Sequence, residues 1–116
     1  MRMLMVAVVL MTGCTNAWVN RGALIASTAA LACDWGQTRG QAARGWGDRM
    51  EQNPMLGAEP TTAAVDTYFV SALALNAMIW YLAPARASAV IPAAVVAVQA
   101  DAIAGNVGMG TGMCGI

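Results

Sequence analysis

The chain has 116 residues, room for one domain at most, and 59% of them are hydrophobic while only 10% are charged. Soluble domains carry about a quarter charged residues, so this shortfall, with a mean hydropathy of +0.57, sets the chain apart from ordinary soluble domains and points to a membrane protein. Six Arg balance six Asp plus Glu, with no Lys or His, which excludes an imidazole base, a His-ligated metal, a Lys Schiff base and a Walker-type phosphate loop, and leaves no basic face for nucleic acid.

Residues 1–14 read MRMLMVAVVLMTGC: one Arg, an apolar run from Met3 to Met11, then Thr12-Gly13-Cys14. This pattern resembles a bacterial lipoprotein signal, with small residues before the cysteine whose thiol would carry the lipid; Met11 stands where Leu is usual. The expected boundaries are a signal peptide over 1–13, a helical membrane domain over 14–107 and a flexible Gly-rich tail over 108–116. Acyl chains on Cys14 would hold the mature chain in membrane lipid, at about 0.8 kcal/mol per buried methylene. Leu31-Ala32-Cys33 is a weaker second candidate, because Asp34 and Trp35 follow within a continuing helix. Cys33 is read instead as a small buried residue. With Cys14 acylated, Cys33 and Cys114 have only each other as partners, and nothing in the sequence shows that they pair. There is no C-x-x-C, hence no zinc or redox motif, and no cofactor or metal is expected.

Three apolar stretches follow. The first begins at Ala17, is interrupted by Asn20 and Arg21, and continues beyond Cys33 into DWGQTRGQAARGWGDRM, where four glycines should fray the helix. Pro54 ends it. The second helix should start after Pro60, with Thr61 or Thr62 as N-cap and Asp66 in the first turn, and run to about Leu82. Val65 to Leu82 would measure about 27 Å, close to a hydrocarbon core of about 30 Å, with Trp80 and Tyr81 at the interface. The third should span about 87–106, with Pro92 in its first turns. The fold class expected is therefore all-α: a small membrane-associated bundle of about three helices. Arg39, Arg44 and Arg49 in the first connection, against Arg86 in the second, place the first connection in the cytoplasm if residues 17–33 cross. The competing arrangement keeps the mature chain outside, as a bundle on the membrane surface.

Asp34, Gln37, Thr38 and Gln41 fall at i, i+3, i+4 and i+7, one face of a helix. Their nearest candidate partners are Arg39, Arg44 and the loop carrying Glu51 and Asn53. Such a cluster reads either as a polar binding site or as a hydrogen-bonded clasp between helices, and the clasp is favoured because buried polar groups must be satisfied whatever the function. Asn76 in the second span, and Gln99, Asp101 and Asn106 in the third, should turn into the bundle, since Asp at a helix centre costs about 2.5–3.5 kcal/mol in lipid.

The strings Asp34-Trp35-Gly36-Gln37-Thr38-Arg39 and Glu51-Gln52-Asn53-Pro54-Met55-Leu56-Gly57, followed by Pro60-Thr61 and Val65 to Phe69, are similar to those of a group of small uncharacterised membrane proteins and lipoproteins from phages, prophages and proteobacteria. The similarity covers about residues 22–106, most strongly 34–69. It implies a phage or proteobacterial setting and a joint role for Asp34, Gln37, Thr38, Glu51, Asn53 and Pro54, but carries no reaction.

The expectation is a non-enzymatic, membrane-anchored lipoprotein of the bacterial envelope, with the inner membrane favoured, interacting with an envelope protein or a second copy of itself. The alternative is a holin-like or pore-forming phage lysis protein. An intramembrane enzyme using Asp34 with Asp66 or Asp101 has only the carboxylates in its favour.

Overall fold

The computed structural model describes residues 17–51, 53–84 and 90–115; the signal segment 1–13 and the proposed lipid site Cys14 lie outside them. Three helices form an all-α bundle, with no strand among the described residues: α1 (Ala17–Arg44), α2 (Thr62–Leu82) and α3 (Val90–Gly108). A single 3-10 turn, Met113–Gly115, follows.

The helix termini follow from local chemistry. Thr61 has extended backbone and its hydroxyl accepts from Ala64 N at 3.2 Å, so it is the N-cap of α2. At the other end Ala83 N still donates to Ile79 O, and Pro84 cannot continue the pattern. In α3, Pro92 stands in the first turn, where a missing N–H leaves nothing unsatisfied. That helix closes when Thr111 N donates to Asn106 O and Gly110 N to Val107 O, with Gly110 at φ +87° in the left-handed conformation such a cap requires.

Two expectations about α1 and α2 are corrected. Helix α1 does not fray at Gly36 and Gly40 but continues to Arg44, because packing against both other helices outweighs the propensity cost of about 1 kcal/mol per glycine. Asp66 lies beyond the first turn of α2, so it serves neighbours rather than the helix dipole. It accepts from Trp35 Nε1 at 2.8 Å and from Arg39 Nε at 2.9 Å.

The glycine-rich tail, expected to be flexible, is stitched to α1. Cys33 and Cys114 form a disulfide, and Gln37 Nε2 donates to Gly112 O at 3.1 Å. Cys33 is thus half-buried and covalently bonded, not a free buried thiol. Gly36 permits the approach: a Cβ there would collide with the carbonyl oxygen of Cys114.

Ser27 and Asn76, and Trp35 and Asp66, are paired across the α1–α2 contact, which makes these helices antiparallel. Trp80 Nε1 on α2 donates to Asn20 O near the start of α1. One end of the bundle therefore carries the connection 45–61, the disulfide and the C-terminal turn, and the other carries the starts of α1 and α3 and the end of α2. The apolar core is small: Leu31, Val65 and Phe69, with Trp35 stacked on Phe69 at 6.3 Å.

Candidate functional site

The interior of the bundle is polar. Asn20, Ser27, Asp34, Gln37, Thr38, Gln41, Asn76, Gln99 and Thr111 are all buried, whereas Val70, Leu75, Met78, Tyr81, Leu82, Ile91, Val98 and Val107 on α2 and α3 are exposed. Fully burying a side chain of this size gains roughly 1.5–3 kcal/mol in water, of which these forgo a large part, and exposed apolar surface on this scale marks an interaction site or a membrane. Helices α2 and α3 are both long and apolar enough to cross a membrane.

At the polar end, α1 presents Asp34, Gln37, Thr38 and Gln41 toward α3 and the tail. Asn106 Nδ2 donates to Asp34 Oδ1 at 3.0 Å and to Gln37 Oε1 at 3.2 Å, and Thr38 Oγ1 donates to the same Asp34 oxygen at 3.4 Å. Gln41 Nε2 closes the end of α1 by donating to Gly45 O at 2.8 Å, while its Oε1 accepts from Arg49 Nη1 at 2.8 Å. The four residues expected on one face are therefore together and buried. Their expected cationic partners are not those observed: Arg39 turns to Asp66, Arg44 is exposed, and Arg49 is the guanidinium that reaches Gln41.

Burial first, and the nearby Glu51 carboxylate second, push the Asp34 carboxyl up to about 6 against the opposing bonds from Thr38 and Asn106. Asp34 lies on α1, outside the two candidate spans. Glu51 and Asn53 are half-buried and build a local turn, with Asn53 N donating to Glu51 Oε1 and Met55 N to Asn53 Oδ1. They make no hydrogen bond to the α1 cluster but face it across a cleft of about 650 Å³. Gln99, Asp101 and Asn106 line the same cleft from α3, and Tyr68 from α2.

The remaining span residues divide. Asn76 is 3% exposed and donates to Ser27 Oγ at 2.8 Å, and Gln99 is 7% exposed, both turned inward as expected. Asp101 is exposed at the cleft, not turned into the bundle, because its place round the α3 cylinder lies away from the contact with α1 made by Asn106. No three His, Cys, Asp or Glu side chains among the described residues converge to hold a metal ion.

The sequence reading passed over Ser27 as part of an apolar run and Thr111 as part of a tail. The signal was present: Asn20, Ser27, Asp34 and Gln41 are spaced by seven, the repeat of a helix seam facing a partner. Trp46, also passed over, is buried and donates from Nε1 to Pro60 O at 3.0 Å, tying the connection to the start of α2. No protein-family model, curated protein or solved structure matches the chain.

Proposed function

We propose that the chain is a small, non-enzymatic membrane protein of the bacterial envelope, held in the bilayer by α2 and α3 and acting by contact through the polar end of its bundle. The inversion of polarity carries this reading: amides, hydroxyls and the Asp34 carboxyl face inward while large apolar side chains face outward, with Asp101 at the cleft the one exposed charge on α3. Lipid is the solvent in which both halves of that arrangement are favourable. The dimensions agree with it, since α2 at 21 residues measures about 31 Å.

The disulfide bears on orientation. Cys33 and Cys114 sit at the polar end, and such bonds persist in oxidising compartments, which supports a polar end on the outer side of the inner membrane. The arginine count favoured the opposite sense, but Arg39 is engaged by Asp66 and Arg49 by Gln41, so both have structural employment. An acyl group on Cys14 is added on the outer side. While α1 crosses, that modification and this orientation exclude each other, so the lipoprotein reading requires free thiols at Cys33 and Cys114 or a chain that stays outside.

Mass spectrometry of alkylated, unreduced protein from bacterial membranes tests both readings. Our proposal expects a Cys33–Cys114 linked peptide pair and an unacylated Cys14 in a chain that alkaline carbonate does not extract. A diacylglyceryl Cys14 with both other thiols alkylated would return the polar end to the cytoplasm. The holin-like alternative needs a polar lining shared between copies, yet Ser27, Asn76 and Gln99 are turned inward within one chain; dye release from liposomes at low protein content is the result that would favour it.

A further inference from the structure

The tail after α3 is held to α1 by little besides a covalent bond. Gly112, Met113, Cys114 and Gly115 are all exposed, and Met113, the one large side chain among them, is 60% exposed, so the stretch brings no apolar anchor into the bundle. Among the described residues a single hydrogen bond joins it to α1, from Gln37 Nε2 to Gly112 O. The bond from Gly115 N to Gly112 O stays within the tail. Cys114 has φ +53°, a left-handed backbone that favours glycine over any residue with a side chain. A segment with so few buried contacts opens readily once its covalent tie is cut. The three helices do not depend on it: the core of Leu31, Val65 and Phe69 and the Ser27–Asn76 and Asp34–Asn106 bonds involve no tail residue.

What the tail covers is polar. Gln37 is only 1% exposed; its Oε1 accepts from Asn106, and Gly112 supplies the acceptor for its Nε2. Departure of the tail takes that acceptor away and opens this face of α1 beside Asp34 and Thr38. The two sulfur-bearing residues are unequally placed, since Cys114 is exposed and Cys33 half-buried. Exposed disulfides are the ones that exchange in a folded protein, because the attacking thiolate has to reach a sulfur atom. We propose that the Cys33–Cys114 bond is a redox latch: a dithiol opens it at Cys114, the tail leaves α1, and Gln37 becomes accessible at the polar end while the three helices stay packed. One thiolate of the dithiol attacks Cys114 Sγ, the bond to Cys33 breaks, and the Cys33 thiolate leaves and takes up a proton. The second thiolate of the dithiol then displaces Cys114, which leaves and is protonated in turn. The dithiol is thereby oxidised by two electrons to its own disulfide, and the chain is reduced by two electrons to two thiols. Once uncovered, Gln37 Nε2 offers a donor to an acceptor on a partner, so the oxidised chain conceals part of its contact surface. That consequence rests on the reading of the polar end as a contact surface, whereas the latch itself does not.

The test is NMR of the full, isotope-labelled, oxidised chain in detergent micelles, recorded as dithiothreitol is added without denaturant and again after reoxidation. Reduction is expected to go to completion with α1 to α3 still helical, to speed exchange of the Gln37 side-chain amide with water by about tenfold or more, and to reverse on reoxidation. Glutathione used in place of dithiothreitol, with adducts trapped by acid and mapped by mass spectrometry, should be found on Cys114 rather than on Cys33. Cys114→Ser should expose the Gln37 amide without any reagent. A bond that dithiothreitol cuts only as the bundle unfolds would overturn the proposal. So would glutathione on Cys33, or a reduced chain in which the Gln37 amide stays as protected as before. None of these outcomes bears on whether the helices reside in lipid, which carbonate extraction decides.

Discussion

Asn106 on α3 donates to Asp34 on α1 at 3.0 Å, so the most buried carboxyl of the bundle is held by a neutral amide rather than by an arginine among the described residues. Burial strips water from it, and the charge nearest it is the acidic Glu51 of the connection. The carboxylate is consequently disfavoured, and its pKa rises from the usual 3.8 to about 6. For an acid whose folded value is raised, the folded state holds the extra proton, so the contribution of Asp34 to stability is full below about pH 4 and is lost as pH climbs through about 6. Asp34→Asn keeps an acceptor for Thr38 and Asn106 and removes the charge. It should raise thermal stability near neutral pH and flatten the decline between about pH 4 and 6 that wild type shows when unfolding in detergent is followed by circular dichroism. An unchanged slope in the variant would assign the pH dependence to another group.

Ser27 and Asn76 form the hydrogen bond nearest the middle of the α1–α2 contact, 2.8 Å between two buried side chains. Ser27→Ala strands the Asn76 amide. In lipid such interhelical bonds average about 0.6 kcal/mol and reach about 1.7, so a loss within that range is expected in reversible unfolding from mixed micelles. The double change Ser27→Ala with Asn76→Leu removes both polar groups and should cost less than the single changes added together, because neither partner is left behind.

The bond between Cys33 and Cys114 closes a sequence separation of 81 residues over a close backbone contact at Gly36. Loop-closure entropy alone values a link of that length at about 4 kcal/mol in an aqueous unfolded state. Reduction, or Cys114→Ser, should lower stability and open the tail to carboxypeptidase while leaving α1 to α3 helical. Gly36→Ala should act through the same bond, since its Cβ meets the Cys114 carbonyl; the thiol count of unreduced protein should rise toward two per chain. A variant that still oxidises fully would show that the tail can close by another path.

Much of the architecture is legible in the residues themselves. Pro60-Thr61 and Pro84 mark where α2 starts and stops because proline and a hydroxyl cap act within a few residues, whereas α1 ends at Arg44, ten residues before the Pro54 expected to end it, where Gly45 takes φ +87° and its carbonyl accepts from Gln41 Nε2. The face Asp34, Gln37, Thr38 and Gln41 was visible for the same reason, as spacing on one helix. What lay between elements was not. The choice of Arg39 for Asp66 rather than Asp34, the inward turn of Ser27 and the docking of the tail depend on which helix lies beside which, and periodicity on a single helix carries no such information. The seven-residue series Asn20, Ser27, Asp34 and Gln41, with Pro92, Gln99 and Asn106 on α3, did record the facing seams, but small and polar residues at seam positions do not stand out against an Ala-rich background. The exposed position of Asp101 followed from a rotation round α3 that only the contact of Asn106 with α1 defines.

The central claim, that lipid surrounds the outward faces of α2 and α3, is tested most directly by photolabelling the protein in native membranes with a bilayer-partitioning diazirine and mapping the adducts by mass spectrometry. Adducts should fall on Val70, Leu75, Met78 and Ile91, outward on the spans, and not on Met50 and Met55, which are more exposed but belong to the polar end. Equal labelling of Met55 and Met78, or a chain that escapes labelling because it leaves the membrane as a folded monomer in buffer, would contradict the account.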